Sequence, residues 1–63
     1  MINSVRERTI AAKASNMPLS KIICHAASDY KEASNRPEFA AEHGGLQCFR
    51  DELFRLVVEW ENA

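Results

Sequence analysis

Two cysteines and two histidines are the side chains of this sequence with the clearest capacity for chemistry. Cys24 and His25 are adjacent, and His43 and Cys48 stand on either side of a glycine pair, so together they carry the donor atoms of a zinc site. Consecutive residues of a helix point about 100° apart, however, and structural zinc ligands are usually about two to four residues apart. We therefore interpret the thiols as ordinary and His25 as a surface residue, and we expect no metal or other cofactor.

A catalytic interpretation of the glycine pair is also weak. His43-Gly44-Gly45 resembles an oxyanion-hole tripeptide, but that function requires a strand, a nucleophile elbow and a hydrolase-sized scaffold. A histidine in the last turn of a helix, followed by a glycine cap, accounts for the same residues. The acidic residues near the C-terminal end alternate with arginines, as on a solvated helix face. We expect no catalytic residue and a protein that is not an enzyme.

Helical periodicity dominates the segments that would have to position any site. Ser4 and Glu7 fit a capping box at the start of a first helix, and Asn16-Met17-Pro18 is a helix-ending sequence. Gly44 suits the left-handed residue that closes a helix. The sequence predicts an all-α fold, a small three-helix domain over residues 1–63. The expected helices cover residues 4–15, 18–34 and 46–61, with a short turn near 37–43.

The second and third helices each carry one apolar stripe, and the connection between them is long enough to reverse the chain. We therefore expect them to form an antiparallel hairpin in which one stripe covers the other. The residues expected to be buried are Ile22, Ile23, Ala26, Tyr30, Leu46, Phe49, Leu53, Leu56 and Trp60.

Composition limits the classes of function. The chain has 63 residues, of which 46% are hydrophobic and 27% charged, so it is apolar enough to fold but short for an independent core. The formal net charge of −1 provides no global attraction for nucleic acid or anionic lipid. The charged N-terminal segment is unlike a signal peptide and no apolar run could span a membrane. We expect a cytoplasmic location, where Cys24 and Cys48 stay reduced.

One segment is similar to part of a DNA-binding motif. Residues 16–23 resemble the start of the second helix of some helix-turn-helix proteins. A tight turn and a basic recognition helix should follow, whereas residues 26–32 continue the same stripe with mixed charge. The alternative function is therefore a small DNA-binding transcriptional regulator that would use a modest basic patch near the N-terminus. The patch would consist of Arg6, Arg8, Lys13 and Lys21.

Three stretches of the sequence resemble a known group of proteins. The opening MINSVRERT, the central PLSKIICHAASDYKEAS and the closing GGLQCFRDELFRLVVEWENA are similar to the small 63-residue open-reading-frame product from the exo-xis region of lambdoid bacteriophages. The resemblance implies an early accessory protein, dispensable for growth, that influences the choice between lytic and lysogenic development in the host cytoplasm. It implies no catalytic or ligand-binding residues. We expect an interaction protein that docks on a host or phage regulator through an apolar helix face.

The last predicted helix has more apolar surface than one neighbour can cover. With Leu53 at zero and about 100° per residue, Phe54 and Val58 lie about 100° and 140° away, so the apolar arc reaches roughly 200°. A second copy would cover this surface and enlarge a thin core. We therefore expect a two-fold homodimer that completes the domain. The predicted interface residues are Leu53, Phe54, Val57 and Val58.

Overall fold

Four α-helices form the part of the chain, residues 4–63, that the computed structural model describes. The all-α prediction is confirmed, and these residues contain no strand. The three long helices match the predicted bounds to within one residue, and the expected turn near 37–43 is a short helix of its own. The bounds are α1 Ser4–Ala14, α2 Leu19–Asn35, α3 Pro37–Glu42 and α4 Leu46–Glu61.

Left-handed residues end two of the helices. Asn16, with φ of 62°, follows α1, and Gly44, with φ of 97°, follows α3. The amide of Gly45 donates to the carbonyl of Ala40 at 2.7 Å, which is the outer hydrogen bond of a Schellman cap. Pro18 is the N-cap of α2 and therefore lies just outside the helix it was expected to begin. These turns reverse the chain within a few residues.

The helices α2 and α4 form the main pair and run antiparallel. Tyr30, in the C-terminal half of α2, lies beside Leu46 at the start of α4. At the other end of the pair, Leu19 at the start of α2 lies beside Glu59 near the end of α4. This pairing is the most extensive between helices of the described chain.

The helix α1 lies across this pair and contacts both of its members. Arg8 reaches Asp29 of α2, while Lys13 reaches Glu59 of α4. Nearer its start, Arg6 reaches Glu52, which lies about two turns earlier on α4 than Glu59. α1 and α4 therefore run in the same direction, and α1 is antiparallel to α2.

The core is small and is centred on Phe49 and Leu56 of α4, which are the largest fully buried side chains. Phe49 packs against Val5 of α1, Ala33 of α2 and Ala40 of α3, with Tyr30, Phe39 and Cys48 at the edge. Two of the buried apolar residues are alanines, which leaves little large side-chain volume. The buried apolar residues are Val5, Ile22, Ala33, Ala40, Phe49 and Leu56.

The predicted core is wrong at two positions of α4. Leu46 is 39% exposed and Trp60 is 53% exposed. The cause is the direction in which α4 faces: its buried side includes Glu52 and is turned toward α1, which places the row of Leu46, Leu53 and Trp60 at the edge. Ile22, Phe49 and Leu56 are buried as expected. The remaining residues of the predicted set are half-buried, namely Ile23, Ala26, Tyr30 and Leu53.

Candidate protein interaction surface

Apolar side chains cover the outward side of α4, which we call the α4 face. Phe54 is 69% exposed, and Val57 and Val58 stand beside it in the next turn of the helix. Leu53 is half-buried at the border with the core. The four predicted interface residues thus lie on one continuous surface. They are not single apolar residues scattered over the molecule. The α4 face consists of Leu46, Leu53, Phe54, Val57, Val58 and Trp60.

One row of residues on the α4 side of the molecule has two apolar residues at its centre and opposite charges at its ends. Arg50, Phe54, Val57 and Glu61 follow one another at steps of four, three and four residues, so they form a row along one side of the helix. The two apolar members lie at the centre, with a cation at the N-terminal end and an anion at the C-terminal end. This order is complementary to itself when the row is reversed.

Glu52 is a buried carboxylate on the opposite side of α4, and the sequence pattern had placed it in solvent. Its Oε1 lies 3.0 Å from Nε of Arg6, and its Oε2 lies 3.1 Å from a terminal nitrogen of Arg55. Thr9 of α1 also donates to it. Burial alone would raise the pKa of Glu52, but the hydrogen bonds from Arg55, Thr9 and Arg6 outweigh burial and hold that pKa below its ordinary value. Glu52 therefore stays ionised and ties α1 to α4.

The histidine of the glycine turn has a structural environment. Nδ1 of His43 lies 2.6 Å from the hydroxyl of Ser4, the first residue of α1. The imidazole ring makes edge contacts with Phe39 and Phe49, with ring centres 5.0 and 5.8 Å away. Ser4, expected to cap α1, thus makes a tertiary contact, and Gly44 supplies the predicted cap of α3. We interpret the serine–histidine pair as a tie between α1 and the turn that precedes α4.

The other residues considered for metal binding lie apart. Cys24 and His25 are exposed on α2, whereas the thiol of Cys48 on α4 faces the carbonyl of Gly44 at 3.4 Å. Both thiols are free. Within residues 4–63, no three histidine, cysteine or acidic side chains come together in a group that could hold a metal ion.

The predicted basic patch is largely neutralised by neighbouring carboxylates. Arg6 pairs with Glu52, Arg8 with Asp29 and Lys13 with Glu59. Three of its four cations thus face acidic partners within the molecule, which weakens the field they could present to a phosphate backbone.

Comparison with known proteins gives no match, whether to a family model, to a curated protein or to a solved structure. None of the helices in the described part of the chain combines the length and the apolar character needed to cross a bilayer. Among the described residues, five of the six exposed large hydrophobic side chains belong to the α4 face.

Proposed function

We propose that this chain is a non-enzymatic interaction protein that acts through the α4 face. The observation that carries the proposal is the exposure of Phe54 and Trp60, at 69% and 53%, beside exposed valines on the same helix. Contiguous apolar surface of this kind on a small protein is typical of a binding site for another protein. The neutralised basic residues favour this function over direct DNA binding.

In this proposal, a second copy of the chain binds the α4 face. Two α4 helices packed antiparallel about a two-fold axis between Phe54 and Val57 bring each of these residues against the other type in the partner. The same register places Arg50 opposite Glu61 of the partner subunit, twice over. A homodimer of this form covers the exposed apolar residues and adds core volume to a chain whose own core is thin.

The biological setting of the proposal comes from the resemblance to the exo-xis open-reading-frame product of lambdoid phages. On that basis the protein is an early phage accessory protein of the host cytoplasm that modulates the choice between lytic and lysogenic development. It does so by binding a host or phage protein and not by catalysis. The small size and the exposed apolar helix are both compatible with such a role.

Sedimentation equilibrium tests the proposal. At tens of micromolar the wild-type protein should sediment as a dimer, and the variant Phe54→Glu, Val58→Lys should sediment as a monomer because two charges would then be buried in the interface. The matched control is Ile10→Glu, which alters an exposed apolar residue of α1 away from this face and should leave the dimer intact. A monomeric wild type would refute the homodimer, and a dimeric double variant would place the interface elsewhere.

A further inference from the structure

Three ion pairs and one buried apolar side chain hold α1 against the rest of the molecule. Its three ion pairs to α2 and α4 measure 3.0, 3.1 and 2.7 Å, and in each of them the cation belongs to α1 and the anion to the other helix. Val5 is its one buried apolar residue within Ser4–Ala14, and Ile10 is 57% exposed. Salt screens exposed ion pairs of this kind, so α1 should be held less tightly as the ionic strength rises.

The surface beneath α1 is not fully occupied. A cavity of about 250 Å³ lies between α1 and α2, with Ile22, Ala26 and Phe49 on the inner side and the small side chains of Thr9 and Ala12 on the α1 side. The cavity is partly open to the surface, and the polar side chains of His25 and Asp29 line it beside the apolar ones. A helix with a larger residue at the position of Ala12 would therefore fill this space better than α1 does.

Without α1, the groove between α2 and α4 would present an apolar floor and acidic borders. Its floor is apolar, formed by Ile22, Ala26 and Phe49. Its borders carry the carboxylates of Asp29 and Glu52 where Arg8 and Arg6 now bind, and that of Glu59 continues the row. An apolar floor with acidic borders is complementary to a basic amphipathic helix.

We propose that α1 can be displaced, and that the groove beneath it binds a basic amphipathic helix of another protein. The incoming helix places a large apolar residue in the cavity and its cations on the carboxylates that α1 releases. This groove lies on the side of α4 that carries Glu52, away from Phe54, so it is separate from the proposed dimer interface. Binding of a helix in this groove therefore does not depend on the homodimer.

The probe for this site is a labelled synthetic peptide of residues 4–16 that carries Ala12→Leu. In the wild-type protein the attached α1 competes with the peptide at an effective concentration of the order of millimolar, so binding should be weak. The full-length variant Arg8→Glu, Lys13→Glu repels its own α1 from Asp29 and Glu59 and should bind the peptide at least about tenfold more tightly. Raising salt from about 50 to about 300 mM should weaken that binding severalfold.

Two controls locate the bound peptide. Adding Phe54→Glu to the variant should leave the affinity unchanged, whereas adding Ala26→Phe, which fills the floor of the groove, should abolish binding. Equal affinity for the wild type and the charge-reversed variant would overturn the proposal, as would loss of binding through Phe54→Glu. A variant that exchanges its own α1 into a second copy, forming a dimer that Phe54→Glu does not dissociate, would overturn the assignment to another protein.

Hydrogen exchange on the wild type provides a readout that does not depend on the charge-reversed variant folding. The amides of α1 should exchange faster than those of α2 and α4, and added salt should accelerate α1 alone. In the full-length variant Ala12→Leu, the filled cavity should slow exchange in α1. Uniform protection of all three helices at both salt concentrations would show that α1 is not displaceable.

Discussion

Glu52 shows how a single charged residue can belong to the core of a small helical protein. It is only 4% exposed, yet Arg6, Thr9 and Arg55 supply donors to its carboxylate. A buried charge is tolerated when it is paired and hydrogen-bonded in this way. Since two of the three donors come from α1, the residue also determines how α1 is placed.

The lowered pKa of Glu52 gives a pH-dependent contribution to stability. A carboxyl group with a lower pKa in the folded than in the unfolded state stabilises the fold above its unfolded pKa of about 4.3, and this contribution is lost as pH falls through the folded pKa. Glu52→Gln should therefore cost about 1–3 kcal/mol at neutral pH, the range for hydrogen bonds to a charged group. The difference from wild type should shrink steadily below about pH 4.3.

Urea unfolding followed by circular dichroism between pH 7 and pH 2 measures this difference. The matched control is Glu59→Gln, which removes the exposed partner of Lys13 and should cost less than about 1 kcal/mol. A constant gap between wild type and Glu52→Gln across the whole pH range would contradict the assigned role of the carboxylate.

At the scale of the helices, the end of α3 and the start of α4 depend on Gly44, where a left-handed backbone conformation is required. Gly44 has φ of 97°, and a Cβ atom there would lie 2.9 Å from Sγ of Cys48. Gly44→Ala should therefore destabilise the fold by about 1–3 kcal/mol, from the backbone conformation together with the close contact.

The double variant Gly44→Ala, Cys48→Ala separates these two causes, because it removes the sulfur while it keeps the unfavourable backbone conformation. In thermal unfolding, Cys48→Ala should lower the stability of the Gly44→Ala background less than it lowers that of the wild type. Equal losses in both backgrounds would mean that the close contact has no energetic effect.

For α4, the bounds could be predicted from the sequence but the orientation could not. Its bounds follow from the repeat of apolar residues and from the glycines before Leu46, which are local signals. Its orientation does not, because periodicity assigned the charged Glu52 to solvent. Only the arrival of Arg6 and Thr9 from a helix distant in sequence makes burial of that carboxylate favourable. The same rotation leaves Leu46 and Trp60 exposed and places them on the α4 face.

The candidate surface itself was accessible to sequence reasoning in part. Phe54 and Val58 extend the apolar arc beyond what one neighbouring helix covers, which is visible from spacing alone. The groove beneath α1 was not, since Thr9 and Ala12 carry no pattern that reveals an underfilled contact. Packing defects depend on how two helices meet, and this information is tertiary.

On the scale of the whole molecule, the proposed function predicts a partner protein that binds the dimer, so its capture requires the α4 face that holds the dimer together. A nuclease-treated lysate of phage-infected bacteria, passed over immobilised wild-type protein, should yield a protein that the variant Phe54→Glu, Val58→Lys does not retain. Quantitative mass spectrometry of both samples, with Ile10→Glu as the matched control, measures the difference. Enrichment of nucleic acid alone from untreated lysate would favour the DNA-binding alternative instead.

The most direct test of the central claim is a charge exchange across the proposed two-fold interface. Arg50→Glu and Glu61→Arg each place like charges opposite one another at both ends of the antiparallel dimer, so each should weaken dimerisation about three- to tenfold, as expected for rim charges. The double variant Arg50→Glu, Glu61→Arg restores opposite charges and should recover the dimer dissociation constant of the wild type in sedimentation equilibrium at low salt. Additive weakening in the double variant, or single variants indistinguishable from wild type, would contradict the pairing of α4 with itself.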